Sequence, residues 1–277
     1  MNVVLLLVVA GVVALAGSVV VTPIVLKVSH RREWYDIPND RKIHTSPIPR
    51  LGGVGIVVGL LLAALCVPLV VPFVAPGLSP FSYDLRAIPL FLAFAVIHAM
   101  GLVDDFHNLD ALLKFLIQIV AAVLVTVAGY TISSVGVPGA PPIHLGILAY
   151  PVTVLWLVAI SNAMNLVDGV DGLAGGIGAI AAIAMAVICL VRGAPMPALV
   201  AVALVGALIG FLFFNFPAAR IFMGDSGSLT VGFVLATIPL LVRPGATSVN
   251  ELLAPGTVLL LPILDTLAAI VRRLRQG

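Results

Sequence analysis

Long apolar runs, separated by only short polar breaks, constrain this chain more than any other feature. A helix needs about 20 apolar residues to cross the hydrocarbon core of a bilayer. On that criterion nine spans are expected, at roughly 3–26, 51–74, 87–103, 111–130, 147–163, 173–191, 196–214, 227–242 and 252–271. Glycine and proline inside several of them predict tilted or broken helices. Only 9% of the 277 residues are charged, against about 25% in soluble domains. No water-soluble surface can be assembled from that composition. The expected fold is an all-α membrane protein, a polytopic bundle of transmembrane helices forming one domain over residues 1–277.

A net charge of +2 is too small to suggest nucleic acid as a partner. Cys66 and Cys189 both lie in apolar runs, read as packing residues, and have neither disulfide nor metal-type spacing. The N-terminus lacks a basic leader, and its apolar run is too long for a cleavable signal, so it reads as the first membrane helix.

If loops alternate sides, one face holds 27–50, 104–110, 164–172, 215–226 and the C-terminal tail. With Lys114 and the helix ends, that face carries eleven Lys and Arg, and the other carries only Arg86, Arg192 and Arg243. The positive-inside rule makes the richer face cytoplasmic and puts the N-terminus outside, in a cell inner or plasma membrane. Nine of the twelve acids crowd the same face: Glu33, Asp36, Asp40, Asp104, Asp105, Asp110, Asp168, Asp171 and Asp225. Asp84 and Glu251 lie opposite, and Asp265 falls inside the last span. The rule concerns Lys and Arg, so the gathering of carboxylates needs another cause.

Four constellations supply one. In the first loop, Asp36-Ile-Pro-Asn-Asp-Arg-Lys-Ile-His44 and Pro47-Ile-Pro-Arg-Leu-Gly-Gly53 combine a proline-restricted backbone with Arg41, Lys42, His44 and Arg50, donors suited to phosphate oxygens. A topogenic basic loop beside anionic lipid explains the charges alone. Gly101-Leu-Val-Asp-Asp105 closes the third span with adjacent carboxylates, which repel unless a cation or proton intervenes; Mg²⁺ prefers such oxygens. The simpler account is two solvated residues at a helix end, where acids oppose the macrodipole. In Asn162 to Gly176, the residues Asn162, Asn165, Asp168 and Asp171 would form one polar stripe if the stretch is helical. Such a stripe must face protein or water. Phe222-Met-Gly-Asp-Ser-Gly-Ser228 resembles a serine-protease signature, but it joins two apolar helices; a metal-binding Asp225 in a tight turn, with Ser226 capping the next helix, is more economical. Lys114 opens the fourth span, placed either to snorkel or to reach a phosphate beside Asp104 and Asp105. His98 reads as a satisfied interhelical residue.

Together these motifs, with Pro262-Ile-Leu-Asp-Thr266, resemble the polyprenyl-phosphate N-acetylhexosamine-1-phosphate transferase superfamily (the glycosyltransferase 4 family), in its WecA/TagO-like branch. They occur in the family's order through almost the whole chain. The related MraY branch shares the Asp pair, the Asn/Asp stripe and the Gly-Asp turn but has a different first loop. The resemblance implies Mg²⁺-dependent transfer of a sugar 1-phosphate from a UDP-N-acetylhexosamine to a polyprenyl phosphate, undecaprenyl or decaprenyl, with release of UMP. This is a first membrane step of cell-envelope polysaccharide synthesis, and Mn²⁺ is an expected substitute metal.

The resemblance also implies site roles. Asp104 would be the base or positioner of the lipid phosphate, Asp105 would support the metal or diphosphate, and Asp168 joins them as a catalytic residue. Asp225 would ligate the metal with Asp104 and Asp105. Arg41, Lys42, His44, Arg50, Lys114, Asn162, Asn165 and Asp171 would bind substrate. Family members usually have ten or eleven spans and a His-rich cytoplasmic loop, which would begin near Val271-Arg-Arg-Leu-Arg-Gln-Gly277; either a C-terminally truncated sequence or a shortened member is therefore the expectation. A homodimer is a further expectation from the superfamily. An MraY-like pentapeptide transferase and, in another class, a transporter are the alternatives. The transporter would place its acids nearer the midplane, with an inverted repeat.

Overall fold

The computed structural model describes residues 2–35, 47–74, 87–137, 140–258, 260, 263–264 and 268. Eight long helices dominate: α1 Asn2–Arg32, α2 Gly52–Val74, α3 Ala87–His107, α4 Ala111–Val127, α5 Ala149–Val167, α6 Leu173–Val191, α7 Pro195–Asn215 and α8 Gly224–Val242. Seven are long and apolar enough to cross a membrane, and α4 is a shorter apolar helix. The chain is a multi-pass, all-α membrane protein. Of the ninth expected span, the short helix α9 Leu253–Val258 is described; Pro262 and Asp265 lie outside the described residues, as do Asp36, Asp40, Arg41, Lys42, His44, Asp84 and Arg86.

Several helix ends depart from expectation for one reason: hydropathy marks the hydrocarbon slab, whereas helices continue into the interface. Thus α1 runs to Arg32, and α3 runs to His107 and keeps Asp104 and Asp105 in its last turns. In α8 the helix starts at Gly224, so Asp225 and Ser226 belong to its first turn rather than to a preceding tight turn, and no side chain caps it from Met223. The expected Ser226 cap is therefore corrected.

An element that hydropathy did not predict lies at the opposite end of the bundle. Strand β1 Ile132–Val137 pairs antiparallel with β2 Ala140–His144, with Val135 opposite Ile143. It also pairs in parallel with β3 Thr247–Ser248. The sheet thus joins the α4–α5 and α8–α9 connections, two loops that the alternation had put on one face.

The helix α8 is the bundle's centre, packed by α2, α3, α5, α6 and α7, with sixteen of its nineteen residues buried. Small residues permit this closeness, as is usual between membrane helices. A Cβ on Gly232 would stand 2.7 Å from Ser161 Cα, and at the same seam Ser161 donates to the Leu229 carbonyl at 2.7 Å. Outside this group, α1 packs on α2 and α7 through glycines, Gly210 approaching the Leu15 carbonyl so that a Cβ would lie 2.8 Å from it.

Candidate active site

Four helix ends converge where the acids gather. The backbone of Pro49 to Gly53 runs beside the entry to α8. Phe222 donates its N–H to the Pro49 carbonyl at 2.7 Å, while Gly52 and Gly53 donate theirs to Phe222 and Met223 at 2.9 and 2.8 Å. Gly224 then turns the chain with φ +73°, in the left-handed region where only glycine is unstrained. A side chain there would overlap the Arg50 carbonyl and stand 2.7 Å from both Asp105 carboxylate oxygens. Gly52, Gly53, Gly101 and Gly224 of the sequence motifs are thus sites of close backbone approach.

The two adjacent aspartates do different work. Asp105 points at the start of α8: Oδ1 accepts the Asp225 N–H at 2.7 Å and Oδ2 the Ser226 N–H at 3.1 Å. The first N–H groups of a helix have no partner within it, and a carboxylate there is also favoured by the helix dipole. Asp105 is therefore a cap supplied from another helix. Asp104, buried, faces the other way. Its Oδ1 accepts the Leu109 N–H at 2.6 Å, fixing the α3–α4 loop, and its Oδ2 accepts from Lys114 Nζ at 2.9 Å.

Lys114 sits one turn into α4, whose N-cap is Asp110, accepting from the Leu112 N–H. Its ammonium also reaches Asp225 Oδ2 at 3.3 Å. On the other side of that carboxylate, Oδ1 accepts from Asn165 Nδ2 at 3.1 Å, and Arg50 stands 3.9 Å away. Asn165 donates as well to Ser228 Oγ (2.9 Å), whose hydroxyl donates to the Gly224 carbonyl (2.9 Å). Asp104, Lys114, Asp225, Asn165 and Arg50 form one connected cluster, contributed by five separate stretches of chain.

The expected polar stripe divides. Helix α5 stops at Val167, and Asp168 is its C-cap with ψ 46°. Asn165 faces the cluster. Asn162, one turn earlier, pairs with buried Gln118 on α4 and donates to the Val158 carbonyl at 2.8 Å. Asp171 lies in the α5–α6 loop and accepts the Ala219 N–H at 2.9 Å; beside it, Asn215 accepts from the Gly172 N–H and donates to the Ile221 carbonyl. These contacts tie the α5–α6 loop to the α7–α8 loop. Sequence reasoning missed Gln118 and Asn215 and gave Ser228 no role of its own; each has a partner remote in sequence. Asp168 remains electrostatically part of the site. Burial pushes its carboxyl well above the ordinary carboxylate range, the charges of Asp225 and Asp105 push the same way, and Arg50 and the Gly224 N–H oppose them.

The donor set suits a hard divalent cation. With all four ionised, Asp104, Asp105, Asp168 and Asp225 outweigh Lys114 and Arg50 by two charges. Among the described residues no three His, Cys, Asp or Glu side chains form a ready-made cage. An ion such as Mg²⁺ needs only one or two carboxylates and completes its shell with water and substrate phosphate.

Comparison with known proteins follows the same lines. The profile of glycosyl transferase family 4 matches residues 87–243, which contain α3 to α8 and every member of the cluster except Arg50. The chain belongs to glycosyl transferase family 4. Among its relatives in that family is a Bacillus subtilis protein named a probable undecaprenyl-phosphate N-acetylglucosaminyl 1-phosphate transferase. It is 34% identical, over 97% of this chain and 72% of its own length. A Mycolicibacterium smegmatis decaprenyl-phosphate N-acetylglucosaminephosphotransferase is 38% identical over 87% of this chain and 64% of its own. A Clostridium beijerinckii phospho-N-acetylmuramoyl-pentapeptide-transferase is 35% identical, but over only 60% of this chain and 54% of its own. The broader coverage favours the N-acetylglucosamine-1-phosphate branch of the family.

Proposed function

We propose that this protein transfers N-acetylglucosamine 1-phosphate from UDP-N-acetylglucosamine to a polyprenyl phosphate, releasing UMP, at the cytoplasmic face. The observation that carries the reading is the juxtaposition of Asp104, Lys114 and Asp225 at the ends of membrane helices. A lipid phosphate at headgroup depth and a nucleotide sugar from the cytosol can both reach such a site.

Phosphoryl transfer needs in-line positioning and neutralised charge more than covalent help. Asp104 holds the lipid phosphate and accepts its remaining proton. An oxygen of that phosphate attacks the β-phosphorus of the nucleotide sugar. The bond from the β-phosphorus to the bridging oxygen breaks, and its electron pair leaves with UMP. Lys114 and Arg50 offset the negative charge brought by the two phosphate groups, Arg50 with the geometry for two parallel hydrogen bonds. Asn165 holds the Asp225 carboxylate in place. Asp225, with Asp104, would hold Mg²⁺, which when bound supplies Lewis-acid neutralisation of the diphosphate. The positive-inside rule supports this orientation, with the N-terminus outside.

The test is reconstitution. Protein in lipid nanodiscs, given polyprenyl phosphate and UDP-N-acetylglucosamine, should form UMP and a lipid-linked sugar with Mg²⁺ or Mn²⁺ and lose that turnover in EDTA. Product only from a UDP-muramoyl-peptide donor would move the assignment to the pentapeptide branch. Turnover unchanged by EDTA would remove the metal from the proposal.

A further inference from the structure

We infer that His98 is a positioning residue for Asp225, acting through the backbone of Ser226; the inference rests on the functional reading above for its catalytic consequence, but not for its structural content. His98, Gly101 and Asp105 are spaced three and four apart on α3, so they share one helix face. All three meet the first turn of α8. His98 Nδ1 lies 3.1 Å from the Ser226 carbonyl oxygen. A carbonyl can only accept, so this contact assigns the proton to Nδ1. Asp105 accepts the N–H of the same residue, Ser226, together with that of Asp225. Between them Gly101 lets the backbones touch: a Cβ there would stand 2.6 Å from Ser226 N and 2.7 Å from Asp225 O.

One residue's backbone is thus gripped at its N–H and at its C=O by two side chains of one neighbouring helix, with a glycine contact between them. Asp105 fixes the first turn of α8 at its N–H side. The second attachment at His98, two turns along α3, restrains the same turn at its C=O side and so adds to the restraint on its rotation. The preceding residue is Asp225, whose carboxylate must stay within reach of Lys114, Asn165 and Arg50. The Ser226 carbonyl also receives the Thr230 hydroxyl at 2.7 Å. Losing His98 therefore leaves no buried carbonyl unpaired, and the effect falls on orientation rather than on folding.

The experiment compares His98→Leu, which keeps the bulk without the donor, with His98→Asn, whose amide Nδ2 can replace Nδ1. Two readouts are needed: amide hydrogen exchange across 223–229, and steady-state kinetics. In His98→Leu, exchange in the first turn of α8 should quicken about tenfold, and kcat should fall about tenfold with KM for the nucleotide sugar unchanged; His98→Asn should restore both to within about threefold. If the parent enzyme shows no transferase turnover while His98→Leu still loosens 223–229, the functional reading fails and the clasp stands. Parental exchange and kcat in His98→Leu would overturn the inference, and so would a His98→Asn variant as defective as His98→Leu.

Discussion

Lys114 holds its ammonium 3.3 Å from the carboxylate of Asp225, a residue 111 positions away, while bonding Asp104 at 2.9 Å. Two carboxylates from different helices thereby share one ammonium. A basic residue at the mouth of a helix could merely reach for water. Here its head is turned inward onto Asp104 and Asp225.

Lys114→Met should therefore do two things. It should lower kcat by about 10²-fold or more, the usual cost of removing a charge-stabilising donor. It should also make the fold more dependent on divalent metal, because Asp104 and Asp225 lose their shared cation. Thermal melting with EDTA and with excess Mg²⁺ measures this: the stabilisation by Mg²⁺ should be larger in the variant than in the parent.

Asn162 and Asn165 occupy matching positions on successive turns, yet only Asn165 touches Asp225. Asn165→Ala should reduce kcat by about 10²-fold. Asn162→Ala should leave kcat within about threefold and cost stability instead, roughly 1–3 kcal/mol for the unpaired Gln118 amide. Equal kinetic losses in the two variants would restore the single stripe that the spacing suggested.

The glycines separate in the same way. Gly224→Ala meets both a positive φ and an overlap with Arg50, so no folded, active protein should be recovered. Gly176→Ala has nothing within 4 Å of the added methyl and lies inside α6, where alanine is the better helix former by about 1 kcal/mol. Its yield and melting temperature should equal or exceed the parent's.

Asp168 gives a pH-dependent signature. Burial holds its carboxyl well above the ordinary range in the folded protein. A raised folded pKa gives stability that is complete below the unfolded value, near 3.9, and lost as pH rises through the folded value. Asp168→Asn mimics the protonated form and escapes that loss. In EDTA, its melting advantage over the parent should be smallest near the unfolded carboxylate value and grow as pH rises above it. A constant difference as pH rises would contradict the assignment. Turnover should fall in the variant even as stability rises.

What the sequence made legible follows from where each determinant lies. Apolar runs are local, so eight of the nine spans correspond to helices, and adjacent motifs named most of the cluster. The double role of Asp104 and Asp105 was hidden because Asp105's partners are 120 residues away and are backbone N–H groups, which carry no residue signature. The helix ends were hidden because hydropathy follows lipid rather than hydrogen bonding. The small sheet escaped because one of its strands, β3, is only two residues long and pairs with β1 across four intervening long helices.

The near-complete enclosure of α8 has a mechanical consequence. A helix that touches so little lipid cannot be pulled by the bilayer directly; thinning, thickening or tension must first act on its neighbours. The carboxylate at its tip is suspended like the arbor of a gimbal, held level while the outer frame tilts. A catalyst working on a long, fluid, chain-like substrate can thereby keep its reacting geometry while the membrane around it changes composition.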